Sequence, residues 1–374
     1  MPAFTPLIVV AGGGPAAIEA LLAVRALAGE RVQLELIAPD TELVVRAYEV
    51  LAPFREGHEH RYPLAPIAAD LGVRFTRDAV AAVDPQARTV TLRSGEQRSY
   101  AELVVAVGGR HVDAVAGAVP FRGARDASRL KTLLAESRSG HHRSVAFVVP
   151  GGNTWPLPMY ELALHTSAWL AERGVGGVPL MLVSPEREPL SAFGSRASEA
   201  VAALVRSHGI EFISARPIRL DAGRLLLTGA RELSVEVAIA LPRLEGPAIR
   251  GLPSDREGFL PVDPFGRVRN ARHVFAAGDA TTFPVKQGGL ATQQADAIAQ
   301  QLAADAGASV QPELPRPVLR AVLFAGRERR YLHAELGDRL EETSRASAAP
   351  LWPEPGKLIG RYLAPYLDSL DEKP

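Results

Sequence analysis

Residues 274–296 read Val-Phe-Ala-Ala-Gly-Asp-Ala-Thr-Thr-Phe-Pro-Val-Lys-Gln-Gly-Gly-Leu-Ala-Thr-Gln-Gln-Ala-Asp, and this stretch decides the fold. Its first residues predict an apolar strand that leads into Gly278 and Asp279, and a short loop then reaches Gly288 and Gly289 at the start of a helix. Glycines allow a ligand to approach the backbone, and a helix N-terminus carries about half a positive charge. The stretch therefore offers a carboxylate to a polyol and backbone N–H groups to a negative charge.

A second glycine motif lies near the N-terminus. Residues 7–11 are a continuous apolar run, typical of a strand buried on both faces. They lead into residues 12–17, Gly-Gly-Gly-Pro-Ala-Ala, which match G-x-G-x-x-A and precede a predicted helix. In this pattern Gly12 permits the tight turn, Gly14 admits a pyrophosphate and Ala17 lets the helix pack on the strand. The residues predicted to hold a dinucleotide here are Gly12, Gly14, Pro15 and Ala17.

With both motifs in this order, the chain resembles the two-dinucleotide-binding-domain flavoproteins of the pyridine nucleotide-disulfide oxidoreductase superfamily. Within that superfamily it is most similar to the branch of type II NADH dehydrogenases and sulfide:quinone oxidoreductases. The resemblance covers residues 1 to about 305 and is weakest in the middle third. It implies an α/β fold with two Rossmann-like domains and FAD as the cofactor, whose ribityl hydroxyls would suit the carboxylate of Asp279.

The resemblance also implies further cofactor contacts. Residues 103–109 resemble the strand that ends in Ala-Thr-Gly in this family, and the backbone near Val80 is expected to contact the adenine. The further residues expected to bind FAD are Val80, Ala106, Gly108, Gly278, Asp279, Lys286, Gln287, Gly288 and Gly289. The acidic residue that usually ends the second strand is absent after residues 32–37. Asp40 and Glu42 lie just beyond and are candidates to replace it.

The same plan predicts the domain boundaries. We expect a discontinuous FAD domain made of residues 1–111 and 252–308, with an NAD(P)-binding-like domain, residues 112–251, inserted between its parts. Residues 309–374 would form a C-terminal module. In that module residues 318–324 and 330–334, separated by Gly326, predict a strand hairpin. In family members such a module covers the flavin and often forms a homodimer.

Composition excludes several classes of function. The formal net charge is zero and no basic run is present, which argues against nucleic acid as a partner. No stretch approaches the length of about 18 apolar residues that a membrane-spanning helix needs. The first strand begins so early that we expect no signal peptide, and hence a cytoplasmic protein. The histidines lack ligand spacing, and His58, His60, His141 and His142 are expected to lie in loops, so no metal site is predicted.

The sequence contains no cysteine. A redox-active disulfide, a cysteine persulfide and a cysteine-ligated iron–sulfur cluster are therefore excluded. The disulfide-reductase chemistry of the superfamily, and sulfide oxidation by the cysteine route, cannot occur in this chain.

Lys286 is one of only four lysines, against 38 arginines. In a chain with this bias, a retained lysine indicates a position where a compact ammonium group matters. Lys286 lies two residues before Gly288, where the resemblance places the N1/C2 edge of the flavin. It is expected to stabilise the anionic reduced flavin; the alternative is a solvated loop lysine.

The middle third departs from the dinucleotide pattern. After a predicted strand at residues 143–149, the loop 150–158 carries three prolines and Trp155 where an NAD(P)H-binding turn would have glycines. Proline lacks the N–H that would donate to phosphate, so we interpret this fingerprint as degenerate and leave NAD(P)H binding uncertain. Trp155 falls where the sulfide:quinone branch keeps its flavin-facing cysteine. It is either an apolar wall of a substrate pocket or a core residue that fills a lost nucleotide site.

Two further segments resemble quinone-reducing relatives. Gln293 matches one of a glutamine pair that lines the quinone site in type II NADH dehydrogenases, while Gly289 takes the place of the other. Gln293 is thus a candidate hydrogen-bond donor to a quinone, or a solvent-facing glutamine. Residues 357–370 predict a weakly amphipathic helix interrupted by Pro365. We expect this helix to dock on its own body or on a dimer mate, with at most peripheral membrane contact.

The sequence therefore predicts an FAD-dependent oxidoreductase that passes electrons from a small-molecule donor to an acceptor such as a quinone. Two alternatives remain. One is an NAD(P)H:quinone oxidoreductase of the type II NADH dehydrogenase kind, and the other is a non-catalytic flavin-binding sensor or interaction protein.

Overall fold

Two parallel five-stranded sheets form the framework of the protein, and they confirm the predicted α/β class with two Rossmann-like domains. The computed structural model describes residues 5–54, 60–138, 144–353 and 356–372. The central strand of each sheet is short, apolar and almost entirely buried, as expected where helices cover both faces.

The first sheet combines four strands from residues 7–105 with one strand from residues 274–276. Its spatial order is Val274–Ala276, Glu102–Val105, Leu7–Ala11, Gln33–Ile37 and Arg74–Thr76. The segment between residues 105 and 274 leaves this sheet and returns to it. The carboxyl ends of three strands, at Ala11, Val105 and Ala276, therefore meet at one edge, where ligands bind in folds of this kind.

The second sheet repeats the plan of the first. Its spatial order is Val119–Pro120, Val237–Ala240, Val145–Val148, Leu180–Ser184 and Ile210–Ser214. In each sheet the central strand is followed by a helix and then by the neighbouring parallel strand, so the two domains share one topology.

Helices pack on these sheets. The α-helices are Pro15–Ala28, Leu64–Asp70, Ala127–Arg138, Leu157–Ala171, Ser195–Ser207, Gly288–Asp305, Leu340–Thr343 and Leu363–Asp371. Short 3₁₀ turns lie at Gly29–Arg31, Arg46–Leu51, Ala124–Asp126, Ser191–Phe193 and Gly278–Ala280. The first helix packs along Gly288–Asp305 through small side chains such as Ala17 and Ala295, which share one core. It begins at Pro15 because a proline suits the first helical position.

Antiparallel pieces complete the fold. Three-stranded sheets comprise Val80–Asp84, Thr89–Leu92 and Gln97–Ser99; Pro217–Asp221, Arg224–Leu227 and Arg231–Ser234; and Val318–Ala325, Glu328–Glu335 and Arg345–Ser347. Two-stranded pairs join Glu42–Val44 to Arg61–Pro63 and Arg110–Val112 to Arg243–Glu245. The predicted C-terminal hairpin is confirmed and is longer than the apolar pattern indicated.

The C-terminal helix is shorter than predicted. It begins at Leu363 rather than at residue 357, because Pro365 is tolerated only in a first helical turn. The carboxylate of Glu19 accepts hydrogen bonds from the N–H groups of Tyr362 and Leu363, at 3.0 and 2.6 Å, and so caps the helix. Leu363 and Leu367 join the core beside the first helix, so the helix docks on its own body.

Candidate functional site

A cleft of about 800 Å³ lies at the carboxyl ends of the first sheet and is bounded by residues of both domains. Its floor comes from the glycine turn after residue 11 and from the strand ends near residues 106 and 277. Residues 155–161 of the second domain and the segments 321–322 and 357–358 of the C-terminal module close it from other sides. A cleft of this volume, at the strand ends of a parallel sheet, is a candidate ligand site.

The glycine turn divides into two roles. Gly14 and Pro15 line the cleft, and a Cβ on Gly14 would meet no atom within 4 Å. Gly12 lies beneath the wall with φ of 126°, where a Cβ would come within 2.2 Å of the carbonyl oxygen of Ala106. Ala17 is fully buried against the helix core. Gly12 and Ala17 therefore shape the turn, while Gly14 and Pro15 present it to a ligand.

The neighbouring strand ends supply the adjacent wall. Ala106 and Gly108 both line the cleft, as predicted from residues 103–109. Val80 begins the antiparallel strand Val80–Asp84 and is not among the residues that line the cleft.

Asp279 presents a carboxylate without a donor. It follows Gly278, whose N–H donates to the side-chain oxygen of Gln294 at 2.6 Å, and both residues line the cleft. Burial raises the pKa of Asp279, and the charges of Lys286 and Arg46 oppose that shift. Among the described residues, no group donates a hydrogen bond to its carboxylate oxygens. A half-buried carboxylate that faces the cleft can accept hydrogen bonds from hydroxyl groups of a ligand.

Lys286 is buried in the same wall. Its ammonium donates to the backbone carbonyl of Thr281 and lies 3.5 Å from that of Asp279. It also lies 3.9 Å from the ring centroid of Phe259, a cation–π distance. Burial lowers the pKa of Lys286 to about 8, against the opposing charge of Asp279. Lys286 is thus no solvated loop lysine: a cation is held at the cleft by carbonyls and a ring.

The helix Gly288–Asp305 points its N-terminus at the cleft. Gln287 is the N-cap, because its side-chain oxygen accepts the N–H of Leu290 at 2.9 Å. Its side-chain nitrogen donates to the carbonyl of Arg320 at 3.1 Å. Gln287 and Gly288 line the cleft, whereas Gly289 is buried behind them. The positive end of the helix and the ammonium of Lys286 therefore act on the same region.

The missing acid of the second strand has two nearby replacements. Asp40 and Glu42 both line the cleft beyond that strand. Glu42 also lies 3.5 Å from the guanidinium of Arg61. An acceptor for a ribose hydroxyl is therefore available, although it follows the strand by a few residues.

Trp155 has contacts that fit both of its predicted roles. It lines the cleft from the second domain, and its ring centroid lies 5.9 Å from that of the buried Phe193. The indole is half-buried. It therefore forms an apolar wall of the cleft and packs on the core of its own domain.

The second glycine turn is covered by protein. A Cβ on Gly151 would come within 2.8 Å of the guanidinium carbon of Arg216. The following helix, Leu157–Ala171, begins between Pro156 and Pro158, so two of the N–H groups at its N-terminus are missing. This geometry agrees with a degenerate nucleotide fingerprint.

Sequence reasoning missed Glu186, just after the second strand of this domain. Its carboxylate accepts hydrogen bonds from the hydroxyls of Tyr160 at 2.7 Å and Ser184 at 2.8 Å. Burial raises its pKa, and these hydrogen bonds oppose the shift. Glu186 thus lies near the position where an acid would bind a ribose. Its carboxylate, however, already accepts hydrogen bonds from two hydroxyls of the protein.

Gln293 does not line the cleft. Its amide hydrogen-bonds the backbone of Val318 and the carbonyl of Gly289, at 2.8 to 3.0 Å. The side chain is half-buried between the helix and the C-terminal hairpin. It is therefore not a solvent-facing glutamine.

A buried ion pair in the cleft wall was also missed. Lys357 Nζ lies 2.5 and 2.6 Å from the carboxylate oxygens of Glu161, and the side chains are 2% and 1% exposed. The N–H of Phe324 donates to the same carboxylate at 2.8 Å. Burial raises the pKa of Glu161 and lowers that of Lys357, while each charge opposes the shift of the other. The scarcity of lysine was the one sequence signal that could have pointed to Lys357.

The described histidines take part in no metal centre. In the part of the chain that the structure describes, no group of histidines and carboxylates could hold a metal ion. His60 stacks on the ring of Tyr48 at 3.8 Å between centroids. His58, His141 and His142 lie outside the described residues.

The residues of the cleft fit FAD. The open space at Gly14 suits a pyrophosphate beside a helix N-terminus. The donor-free carboxylate of Asp279 suits the hydroxyls of a ribityl chain. The ammonium of Lys286 and the helix N-terminus at Gly288 suit the N1/C2 edge of the flavin, which becomes negative on reduction.

The doubled Rossmann plan and this cleft define a flavin-dependent oxidoreductase. The chain belongs to the pyridine nucleotide-disulphide oxidoreductase family, whose model matches residues 6–300. The predicted superfamily, FAD cofactor and oxidoreductase class are thereby confirmed.

Known proteins with similar sequence and fold point to one branch of the family. The chain is 24% identical to a sulfide-quinone reductase from Aquifex aeolicus (strain VF5), over 73% of this chain and 69% of that protein. The solved structure of the sulfide:quinone oxidoreductase from Aquifex aeolicus has a TM-score of 0.83 at 20% identity, covering 98% of this chain and 90% of that one. A ferredoxin reductase from Rhodopseudomonas palustris has a TM-score of 0.68 at 18% identity, covering 88% and 82%.

Among the described residues, no helix has the length and apolar character needed to cross a membrane.

Proposed function

We propose that the protein passes electrons through FAD from a small-molecule donor to a quinone, without a cysteine in the reaction. Similarity to sulfide-quinone reductase supports the quinone, and the sequence contains no cysteine. The single observation that carries the proposal is the buried ion pair of Glu161 and Lys357 in the wall of the cleft.

The ion pair can supply a proton, which quinone reduction requires. FAD, when bound, supplies the electron transfer, and the protein supplies binding, orientation and electrostatics. A quinone takes up protons as well as electrons when it becomes a quinol, so a site closed from water needs proton donors in its wall. The ion pair of Lys357 and Glu161 holds one transferable proton, carried by the ammonium or, in the neutral form of the pair, by the carboxyl.

Burial also affects where the proton of this pair resides. A low-dielectric site disfavours both charged forms, which raises the pKa of Glu161 and lowers that of Lys357. The ion pair and its neutral form therefore lie closer in free energy than they would in water. Loss of a proton to a neighbouring acceptor leaves one negative carboxylate, which the N–H of Phe324 still stabilises at 2.8 Å.

Lys286 and Trp155 have separate roles in the proposal. The buried ammonium of Lys286, with the helix end at Gly288, stabilises negative charge on the reduced cofactor. Trp155 supplies an apolar wall where a cysteine of the sulfide:quinone branch would stand. Gln293 remains a candidate contact of the quinone only if it exchanges its bonds to Val318.

The first test establishes cofactor and acceptor. Purified protein is denatured to identify a released yellow cofactor as FAD, and the holoprotein is then reduced without oxygen by a series of small donors. Decylubiquinone should reoxidise the reduced cofactor rapidly. A protein that stays colourless and gains no thermal protection in excess FAD would refute the proposal, as would reduced holoprotein that decylubiquinone does not reoxidise.

The second test concerns the ion pair. In Glu161→Gln we expect quinone-dependent reoxidation to slow by a factor of about 100 or more, the usual contribution of a positioned proton donor. Reduction of the flavin by the donor should be unchanged. Glu35→Gln is the matched control, because Glu35 is fully buried and pairs with Arg98 at 3.2 Å outside the cleft. Equal rates in Glu161→Gln and Glu35→Gln would remove the proposed role.

NADH and NADPH added to the same holoprotein test the nicotinamide alternative. Because Arg216 covers Gly151 and prolines begin the next helix, we expect no bleaching of the oxidised flavin over minutes. Rapid bleaching would favour an NAD(P)H:quinone oxidoreductase instead. If a broad range of donors leaves the flavin oxidised, the sensor alternative gains support.

A further inference from the structure

A smaller cavity of about 160 Å³ opens from the cleft and overlaps it: nine lining residues, among them Arg46, His111, Asp279 and Lys286, are common to both. Part of the lining of this cavity is apolar and consists of Val50, Phe121, Trp155, Pro158 and Leu241. A space of this size holds on the order of ten non-hydrogen atoms, since one water needs about 10–15 Å³ of such volume. The cavity therefore suits a small molecule rather than a second dinucleotide.

Basic side chains also line the cavity. Arg46, Arg122 and His111 line it, and they come from three separate segments of the chain. Arg125 lines the adjoining cleft. Burial lowers the pKa of His111 to about 4, and the positive charges of Arg46, Arg125 and Arg122 add to this shift. The imidazole is therefore neutral at pH 7.

Most of these charges already have partners. Arg122 pairs with Asp113 and lies 3.8 Å from Asp126, and Arg125 lies 4.0 Å from the same Asp126. The acid that faces the cavity from the same segment as Arg46 is Glu49, and it pairs with Arg61 at 3.7 Å. The remaining charges are those of Arg46, Lys286 and Asp279.

Arg46 and His111 have no such partners. Across the described residues, neither the guanidinium of Arg46 nor the imidazole of His111 makes a hydrogen bond or an ion pair. A neutral imidazole can donate one hydrogen bond and accept another. Asp279 is an acid of the same lining whose charge acts on both Arg46 and Lys286. An anion in the cavity would add a second negative charge to this group of basic side chains.

We propose that this cavity binds a small organic anion, a carboxylate on an apolar body, as the substrate class of the donor side. Arg46 binds the carboxylate, His111 donates a hydrogen bond to it, and the apolar side near Phe121 and Trp155 contacts the body of the molecule. The inference rests on the proposed function, because the shared residues Asp279 and Lys286 place the cavity beside the FAD cleft. The apolar walls favour an organic anion over an inorganic one.

Calorimetric titration of the holoprotein tests the inference with three probes. Sodium benzoate supplies a carboxylate on an apolar ring, benzamide is its uncharged counterpart, and sodium sulfate is an inorganic anion. We expect benzoate to bind at least tenfold more tightly than either of the others. Benzoate binding no tighter than that of benzamide would overturn the proposal, and tighter binding of sulfate would overturn the organic class.

Substitution of Arg46 tests the anchor. Arg46 is an exposed residue, so the Arg46→Gln variant should fold normally. Loss of a hydrogen bond to a charged group weakens binding by roughly tenfold or more, and we expect this for benzoate but not for benzamide. Arg196→Gln, on an exposed position of the helix Ser195–Ser207, controls for the change in net charge. Unchanged benzoate affinity in Arg46→Gln would overturn the assignment.

Calorimetry reports binding without a flavin signal, so its result is independent of the quinone assay. A holoprotein that reduces quinone but fails to bind benzoate overturns this inference alone. Failure to reoxidise with quinone, with benzoate bound as expected, overturns the proposed acceptor alone.

Discussion

The side-chain amide of Gln293 makes two hydrogen bonds with the backbone of Val318. It donates to the carbonyl at 2.8 Å and accepts from the N–H at 2.9 Å. This pair of bonds joins the helix Gly288–Asp305 to the first strand of the C-terminal hairpin. Because Ala321 and Val322 of that strand line the cleft, Gln293 holds one wall in place from behind.

Replacing Gln293 should therefore lower stability. In Gln293→Ala the N–H and carbonyl of Val318 lose their partner, and we expect a decrease of about 1–3 kcal/mol in the free energy of unfolding. Urea titration of the holoprotein measures this change. Gln301→Ala is the control, since Gln301 bonds only the nearby Asp305 in an exposed position. Equal midpoints for the two variants would contradict the bracing role.

Two glycines of one turn should respond differently to alanine. In Gly12→Ala the new Cβ meets the carbonyl of Ala106 at 2.2 Å in a left-handed backbone conformation, so we expect loss of folded protein. In Gly14→Ala the Cβ enters open space, so we expect a folded protein with weaker FAD binding. Circular dichroism and FAD titration measure the two effects. A Gly14→Ala variant with unchanged FAD affinity would show that no ligand approaches this residue.

Lys286 should raise the reduction potential of the flavin. In Lys286→Met the side-chain volume over Phe259 is retained while the charge is lost, so we expect folding and flavin retention with a lower potential. A loss of about 1.4 kcal/mol corresponds to a decrease of about 30 mV for a two-electron couple. Because the pKa of Lys286 is about 8, the difference from the parent should shrink as pH rises above that value.

Lys131→Met provides the comparison for Lys286→Met, because Lys131 is exposed on the helix Ala127–Arg138. Potentials are measured by equilibration with a reference dye during anaerobic reduction. An unchanged potential in Lys286→Met, or an equal decrease in Lys131→Met, would count against the role of the buried ammonium.

Glu19 should make stability depend on pH. Burial and the neighbouring Asp296 raise the pKa of Glu19 to about 7, above the ordinary value of 4.5, although its bonds from Tyr362 and Leu363 oppose the shift. The folded protein therefore binds this proton more tightly than the unfolded chain. The stabilising contribution is complete below about pH 4.5 and is lost as pH rises through about 7.

Glu19→Gln keeps an acceptor for the helix cap but cannot ionise. We expect its free energy of unfolding to change less between pH 5 and pH 7.5 than that of the parent, as measured by urea titration at both values. Glu199→Gln, exposed on the helix Ser195–Ser207, should keep the parent's dependence. A parent protein with equal stability at both pH values would refute the argument.

Local sequence patterns were sufficient to predict the parallel sheets and the two glycine segments that line the cleft. The turn at Gly12 and the segment Gly278–Asp279 could be predicted because a buried strand, a required glycine and a helix start are all short-range features. Their meeting in space followed from the order of a parallel sheet, whose strand ends share one edge.

Long-range pairs could not be predicted in the same way. Glu161 and Lys357 are separated by 196 positions, and no local pattern shows that an acid in one helix meets a lysine in a distant tail. Periodicity also extended the last helix too far, because it could not show that Pro365 would occupy the first turn. Glu186 was missed since it follows Pro185, beyond the strand where the acid was sought.

The position of Lys357 has a consequence for biosynthesis. The carboxylate of Glu161 becomes buried when the second domain packs, but its counterion lies in a segment that a ribosome translates almost 200 codons later. Until that segment emerges, the nascent protein must leave this part of the cleft open to solvent or keep the carboxyl of Glu161 protonated. We therefore expect this wall of the cleft to close late in folding. A message truncated before the codon of Lys357 would encode a protein whose cleft stays open on this side.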